Sequence, residues 1–250
     1  DLVALGPFPW TRVVHVGIED RNDVVIADFR ESPTVATFKL LWRGALWAKV
    51  KWSVPGLFNA RNAAMAAVAA ALAIHPENPT KLDLSALARF RGVKRRQEML
   101  VDTPRLKVIE DFGHHPTALA ETLQSLRNRF PDALLTAVFE PRSNTARTKI
   151  LQTGFTRALS QADEVFIGAV SRADKLREEE RFDVEAVLGH LDLQGVEAQT
   201  AATNAELLEK LLASLPAENN QPQVVAFFTN GSFDGIIPKF VAAVKPLAGS

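Results

Sequence analysis

From residue 106 onward the chain alternates short apolar runs with segments of helical character, and this alternation constrains the fold more than any other feature. "LKVIEDF", "ALLTAVFE", "DEVFIGAV" and "QVVAFFTN" are separated by helix-like stretches at 116–129, 153–161, 183–191 and 204–215, with a last one near 234–246. Strands that alternate with helices form a mostly parallel sheet with helices on both faces. The preceding part has a different texture. "RVVHVGI", "DVVIADF", "TVATFKLLW" and "ALWAKVKWSV" read as strands between turn-formers such as Asn22, Asp23, Pro33 and Gly44, and "ALWAKVKW" alternates as a half-exposed antiparallel strand does. "PGLFNARNAAMAAVAAALAI" then turns helical, "HPENPT" breaks it, and "LDLSALARF" predicts a short second helix before "RGVKRRQEML". The change of texture places a boundary near Gly92. Residues 1–92 read as the end of a mixed α/β domain, and residues 93–250 as a complete, Rossmann-like doubly wound α/β domain.

Composition removes several classes of function. Lys plus Arg and Asp plus Glu both total 29 in 250 residues, so no global field favours nucleic acid or an anionic membrane surface. The absence of cysteine excludes disulfides and thiolate chemistry and fits a reducing, cytoplasmic setting. The Ala-rich stretch 63–74 is shorter than a membrane span, so a membrane partner is not expected.

In an open parallel sheet, ligands bind beyond the carboxyl ends of the strands, where loops and helix N-termini converge. Three such ends are polar: Asp111-Phe112-Gly113-His114-His115, then Glu140-Pro141-Arg142-Ser143-Asn144-Thr145 with Arg147, then Thr229-Asn230-Gly231-Ser232 with Asp234 and Gly235. "EVFIGAV" adds Ser171, Arg172 and Lys175. Any one such loop is as easily a solvated turn; together, rich in Arg, His and Asn, they point to one ligand cleft. Adjacent histidines in extended chain point to opposite sides, so His114 and His115 make a poor chelating pair, and no metal site is expected from them. One of them contacts an anionic substrate, or His115 caps the helix that Pro116 opens.

Earlier, Asn59 and Asn62 share one face near a helix N-terminus, where carboxamides either read a purine edge or simply cap. Lys94, Arg95 and Arg96 cluster at the boundary, either on phosphates or in solvent. His15, His75 and His190 lack polar company and read as structural.

Taken in order, these segments resemble the Mur ligases, the ATP-dependent amide-forming enzymes of bacterial cell-wall synthesis. "GLFNARNAAMAAVAA" is similar to the family's Gly-x-His-Asn-x-x-Asn helix, "FRGVKRRQE" to its Phe-x-Gly-x-x-x-Arg-x-Glu segment, and "EDFGHHPTAL" to the Asp-Asp-Tyr/Phe-Ala/Gly-His-His-Pro-Thr loop of the muramate-using branch. The resemblance covers roughly residues 45–245. Within that branch, "FEPRSNTAR" and "TNGSFDGI" look like the loops of members that use the recycled tripeptide L-alanyl-γ-D-glutamyl-meso-diaminopimelate, rather than L-alanine, as acceptor for UDP-N-acetylmuramate.

The resemblance implies ATP and Mg2+ as cofactors, Asn59 and Asn62 at adenine, Arg96 at the nucleotide phosphates and Asp111 at ribose. It implies His114 and His115 at the reacting groups, with Arg142, Ser143, Asn144, Arg147, Asn230 and Gly231 around the incoming peptide. It further implies a monomer acting on small molecules in the cytoplasm. Three departures stand out: Phe58 replaces the family's His, Glu110 replaces Asp, and Ser232 and Asp234 replace glycines. The chain opens at Asp1 and carries no Gly-x-x-Gly-Lys-Thr/Ser loop. The expectation is therefore the C-terminal part of a ligase, inactive alone, with its phosphate loop and magnesium ligands upstream.

Overall fold

The computed structural model describes residue 6 and residues 8–215 and 221–245 of the chain. It divides into two compact units, Asp1–Gly92 and Val93–Ser250.

The first unit holds a mixed sheet in the order β1-β2-β3-β4, formed by Val16–Gly17, Val24–Glu31, Ala36–Trp42 and Ala45–Trp52. β1 runs parallel to β2 and the remaining pairs are antiparallel. Strict alternation in β3 turns Ala36, Phe38, Leu40 and Trp42 inward. Helix α1 (Leu57–Ile74) covers that face through Ala60, Ala63, Ala64 and Ala67, which pack with Phe38, Leu40, Val50 and Trp52. Alanine suits this contact because a side chain of one carbon lets helix and sheet approach closely.

Two expectations fail here. "RVVHVGI" forms only the two-residue β1, and "LDLSALARF" forms a 3-10 turn at Ser85–Arg89 instead of a helix. The second failure has a local cause: Asp83 accepts from the Ser85 amide (2.9 Å) and the Ser85 hydroxyl (2.6 Å), so a side chain holds the turn that an α-helix would have to displace. α1 runs over the stretch that "PGLFNARNAAMAAVAAALAI" marks as helical, and by length and composition it is apolar enough to cross a membrane. Its Ala60–Ala71 face is nonetheless packed in the core of this unit.

The second unit is a six-stranded sheet in the order β5-β6-β10-β7-β8-β9. The strands are Glu98–Asp102, Leu106–Asp111, Gln223–Phe228, Leu134–Phe139, Glu164–Ile167 and Glu197–Thr200, in that spatial order. All pairs are parallel except β5 with β6. Helices α2 (Pro116–Arg129), α3 (Gln152–Leu159) and α4 (Val184–Asp192) cover one face; α5 (Asn204–Ser214) and α6 (Ile236–Val244) cover the other.

The period of two explains how one apolar run serves both layers. In β10, Val224, Ala226 and Phe228 face the first layer, while Val225 and Phe227 face the second. Burying a Val or Phe side chain contributes about 1.5–3 kcal/mol. Parallel pairing brings the carboxyl ends of β6, β10, β7 and β8 to one edge of the sheet, where the polar loops begin.

Candidate anion-binding cleft

At that edge lies a cavity of about 430 Å³. The β6 loop contributes His114; the β7 loop contributes Arg142, Ser143, Asn144, Thr145 and Arg147; the β8 loop contributes Ser171 and Arg172; and the β10 loop contributes Asn230. Four loops far apart in sequence thus share one space, because their strands are neighbours. Backbone bonds extend the sheet into the loops: Thr229 N donates to Asp111 O (3.1 Å), Glu140 N to Phe228 O (3.0 Å), Gly168 N to Phe139 O (2.9 Å) and Ser171 N to Pro141 O (3.0 Å).

The cavity is cationic. Its lining holds three guanidinium groups and no carboxylate. Arg142 is held from beneath by Glu140, whose side chain is 2% exposed; the two charges lie 3.5 Å apart. The second Glu140 oxygen accepts from the Thr229 hydroxyl, and that hydroxyl oxygen accepts from Gly231 N (2.9 Å). Gly231 leaves room for Arg142: a Cβ there would lie 2.6 Å from Arg142 Cζ and nearer still to its Nε and Cδ. Ser143 folds the following turn by accepting from Ala146 N (3.0 Å), and Arg147 N closes it on Ser143 O (3.1 Å). Arg147 Nε and Asn230 Oδ1 are buried and have no hydrogen-bond partner among the described residues. Unpaired buried polar atoms are uncommon in folded proteins, and these two belong to side chains that line the cavity.

His115 and the residues expected at the nucleotide do not line this cavity. His115 caps α2, its Nδ1 accepting from Thr117 N at 3.3 Å. Asp111 is 2% exposed and faces inward, accepting from Gly113 N (2.6 Å) and Gln97 N (3.0 Å). Burial pushes its carboxyl above the ordinary range, partly offset by those amides, by the charge of Arg96 and by Thr122. Asp111 therefore shapes the β6 turn. Arg96 is exposed, 5.3 Å from the centre of the Phe112 ring.

In the first unit, Asn59 donates from Nδ2 to Pro55 O (2.6 Å), Asn62 lies on the exposed face of α1, and Phe58 packs its ring over Gly56. Among the described residues no group of three His, Asp or Glu side chains is placed to hold a metal ion.

Two residues matter more than their sequence context suggested. Arg95, grouped above with the phosphate candidates, is instead a strut: Nε donates to Glu110 (2.5 Å), and one terminal nitrogen donates to the carbonyls of Thr229 (2.9 Å) and Gly231 (2.6 Å). Glu110, where the resemblance leads one to expect Asp, thus reaches Arg95. Glu140 was legible only as the polar end of a strand; its burial under Arg142 required the fold.

A doubly wound sheet with a cationic, loop-built cleft at the carboxyl ends of its strands defines a class of α/β domain whose ligands bind at that end of the sheet. Comparison with known proteins narrows the class. The model of the Mur ligase, glutamate ligase domain, matches residues 95–229, and the chain belongs to the Mur ligase family. The chain is 32% identical over 217 residues to a UDP-N-acetylmuramate–L-alanine ligase of Desulfosudis oleivorans, covering 84% of this chain and 46% of that protein. It is also 32% identical over 209 residues to the UDP-N-acetylmuramate–L-alanyl-γ-D-glutamyl-meso-2,6-diaminoheptandioate ligase of Haemophilus influenzae, covering 83% and 42%.

Among solved structures it is similar to a UDP-N-acetylmuramate–alanine ligase from Thermotoga maritima, with TM-score 0.71, 22% identity, and 94% of this chain and 48% of that one covered. A murein peptide ligase from Psychrobacter arcticus gives TM-score 0.61 at 25% identity, with coverage of 92% and 46%. The chain spans about half the length of the curated relatives it matches.

Proposed function

We propose that this chain carries the acceptor-binding part of an ATP-dependent ligase that joins UDP-N-acetylmuramate to the recycled tripeptide L-alanyl-γ-D-glutamyl-meso-diaminopimelate, a cytoplasmic step of peptidoglycan recycling. The observation that carries the choice of acceptor is the set of Arg142, Arg147 and Arg172 around one cavity. The tripeptide has three free carboxylates, and guanidinium groups bind carboxylates with paired, charge-assisted hydrogen bonds. L-alanine has a single carboxylate and, with Arg142 already facing Glu140, would leave one guanidinium of this cleft without a counter-charge. Both kinds of ligase occur among the relatives, so the distinction rests on the cleft.

In the proposed reaction, ATP transfers its γ-phosphoryl group to the muramate carboxylate, giving an acyl phosphate and ADP. The alanyl amine of the tripeptide attacks the acyl carbon, and the tetrahedral intermediate expels inorganic phosphate to leave the amide. Such catalysis consists mostly of positioning and charge neutralisation. Arg142, Arg147 and Arg172 hold the peptide's carboxylates; Asn144, Asn230 and Ser143 complete its hydrogen bonds; His114 is the cavity histidine available to the reacting amine. Gly231 acts by admitting Arg142, and His115 by starting α2. For ATP, Asn59 and Asn62 are the proposed adenine contacts and Arg96 the proposed phosphate contact. Magnesium, when bound, would neutralise phosphate charge, and the described residues offer it no cluster of ligands.

The test is ADP release by the full-length protein supplied with UDP-N-acetylmuramate and either acceptor. Release that depends on the tripeptide supports the reading. Release with L-alanine alone moves the assignment to the alanine-adding reaction, and release with neither removes the catalytic reading.

A further inference from the structure

Two of the four cleft loops are tied together by a side chain that is not among those lining the cavity. Asn204 opens α5 and is 6% exposed. Its Oδ1 accepts from Ala169 N (2.9 Å), two residues before Ser171 in the β8 loop. Its Nδ2 donates to Asp234 Oδ2 (2.7 Å), in the turn that follows Asn230 and Gly231. Thr203 fixes the start of α5 with a reciprocal capping box, so Asn204 is presented from a rigid point.

The surroundings fit closely around this link. A Cβ at Gly168 would lie 2.9 Å from Asn204 Oδ1 and 2.5 Å from the Phe233 ring. Phe233 and Asp234 both adopt left-handed backbone, with φ of 49° and 50°. A residue with a Cβ resists that conformation, and it persists where neighbouring contacts fix it. Buried Phe233 supplies one anchor and the Asn204 amide the other.

We propose that Asn204 and Asp234 form a positioning pair that sets the spacing between the Ser171–Arg172 loop and the Asn230–Gly231 loop, and through it the fit of the acceptor. The idea rests on the reading of the cavity as the acceptor site. Asp234 is not an incidental replacement for glycine: it exchanges backbone ease for a side-chain tie across the cleft.

The experiment uses steady-state kinetics of the full-length protein with the tripeptide, and with L-alanine if that proves to be the acceptor. Asp234→Gly removes the tie while easing the backbone, so the variant folds. It raises the KM of the acceptor about tenfold, the scale of one charge-assisted hydrogen bond, and leaves kcat and the KM for ATP within about twofold. Asn204→Asp alone sets two carboxylates against each other and raises the acceptor KM at least as far. Combining it with Asp234→Asn restores the side-chain hydrogen bond with donor and acceptor exchanged, leaves Ala169 N its acceptor, and returns the KM to the starting value.

An unchanged acceptor KM in Asp234→Gly, or no rescue by the exchanged pair, overturns the proposal while leaving the acceptor site intact. Absence of turnover by the unaltered protein with either acceptor overturns the reading beneath it.

Discussion

Replacing Gly231 with alanine tests how Arg142 is held. Gly231 does not have the left-handed backbone that only glycine adopts easily, so alanine meets no conformational barrier there. The obstacle is steric: the new methyl group overlaps Arg142 Nε, Cδ and Cζ, the flexible part of a side chain, while no other atom ranks among its three nearest neighbours. Arg142 therefore swings away. Glu140, 2% exposed at its side chain, keeps the Thr229 hydroxyl but loses its cation.

Stripping one partner from a buried charge costs about 1–3 kcal/mol, and the lower middle of that range applies because Arg142 is 36% exposed and 3.5 Å away. At about 1.5 kcal/mol the midpoint of thermal unfolding falls by about 3–6 °C for a unit of this size. Urea and thermal unfolding measure the loss, and the tripeptide KM rises with it. Arg142→Ala should destabilise by a similar amount, and Gly231→Ala added to it should cost nothing beyond about 0.5 kcal/mol. Fully additive losses would refute the reasoning, since the methyl group would then be clashing with something other than Arg142.

Other perturbations report on the same frame. Arg95→Lys keeps the charge but loses the fork that reaches Glu110, Thr229 O and Gly231 O, and should destabilise by about 2–3 kcal/mol in urea unfolding. Asp111 has a native pKa raised by burial, so its contribution to stability is present below the unfolded value of 3.8 and is lost as pH rises through the native value. Stability of the unaltered chain relative to Asp111→Asn should thus decline across that window, and a relative gain with rising pH would contradict the assignment. Arg172→Gln should raise the tripeptide KM about tenfold and leave the KM for ATP unchanged, read from initial rates.

The parallel core was legible because its strands are buried on both faces and read as continuous apolar runs, such as "VVAFF" in β10. The two edge strands escaped. β9 reads "EAQT", with no residue fully buried, and β5 reads "EMLVD" with only Val101 buried. An edge strand covers little core, so its sequence carries little pattern. The cleft was legible for a related reason: polar residues ending an apolar strand stand out, and parallel topology collects them.

What escaped were the residues that act by holding others. Glu140, Arg95 and Asn204 contact groups 89, 134 and 30 or more positions away in sequence. No local spacing announces such a partner. Asp111 illustrates the reverse: its place at the strand end signalled ligand chemistry, yet its carboxylate turns inward to backbone amides.

The most direct test of the central claim measures whether the cleft recognises the acceptor by its carboxylates. Titration calorimetry would use the full-length protein with UDP-N-acetylmuramate and a non-hydrolysable ATP analogue present. The ligands would be the tripeptide and an analogue with both diaminopimelate carboxylates converted to amides. With Arg142, Arg147 and Arg172 in the cavity, the analogue should bind at least about tenfold more weakly for each carboxylate removed. Equal affinity for the two peptides would contradict the claim, because the guanidinium groups would then not be what holds the acceptor.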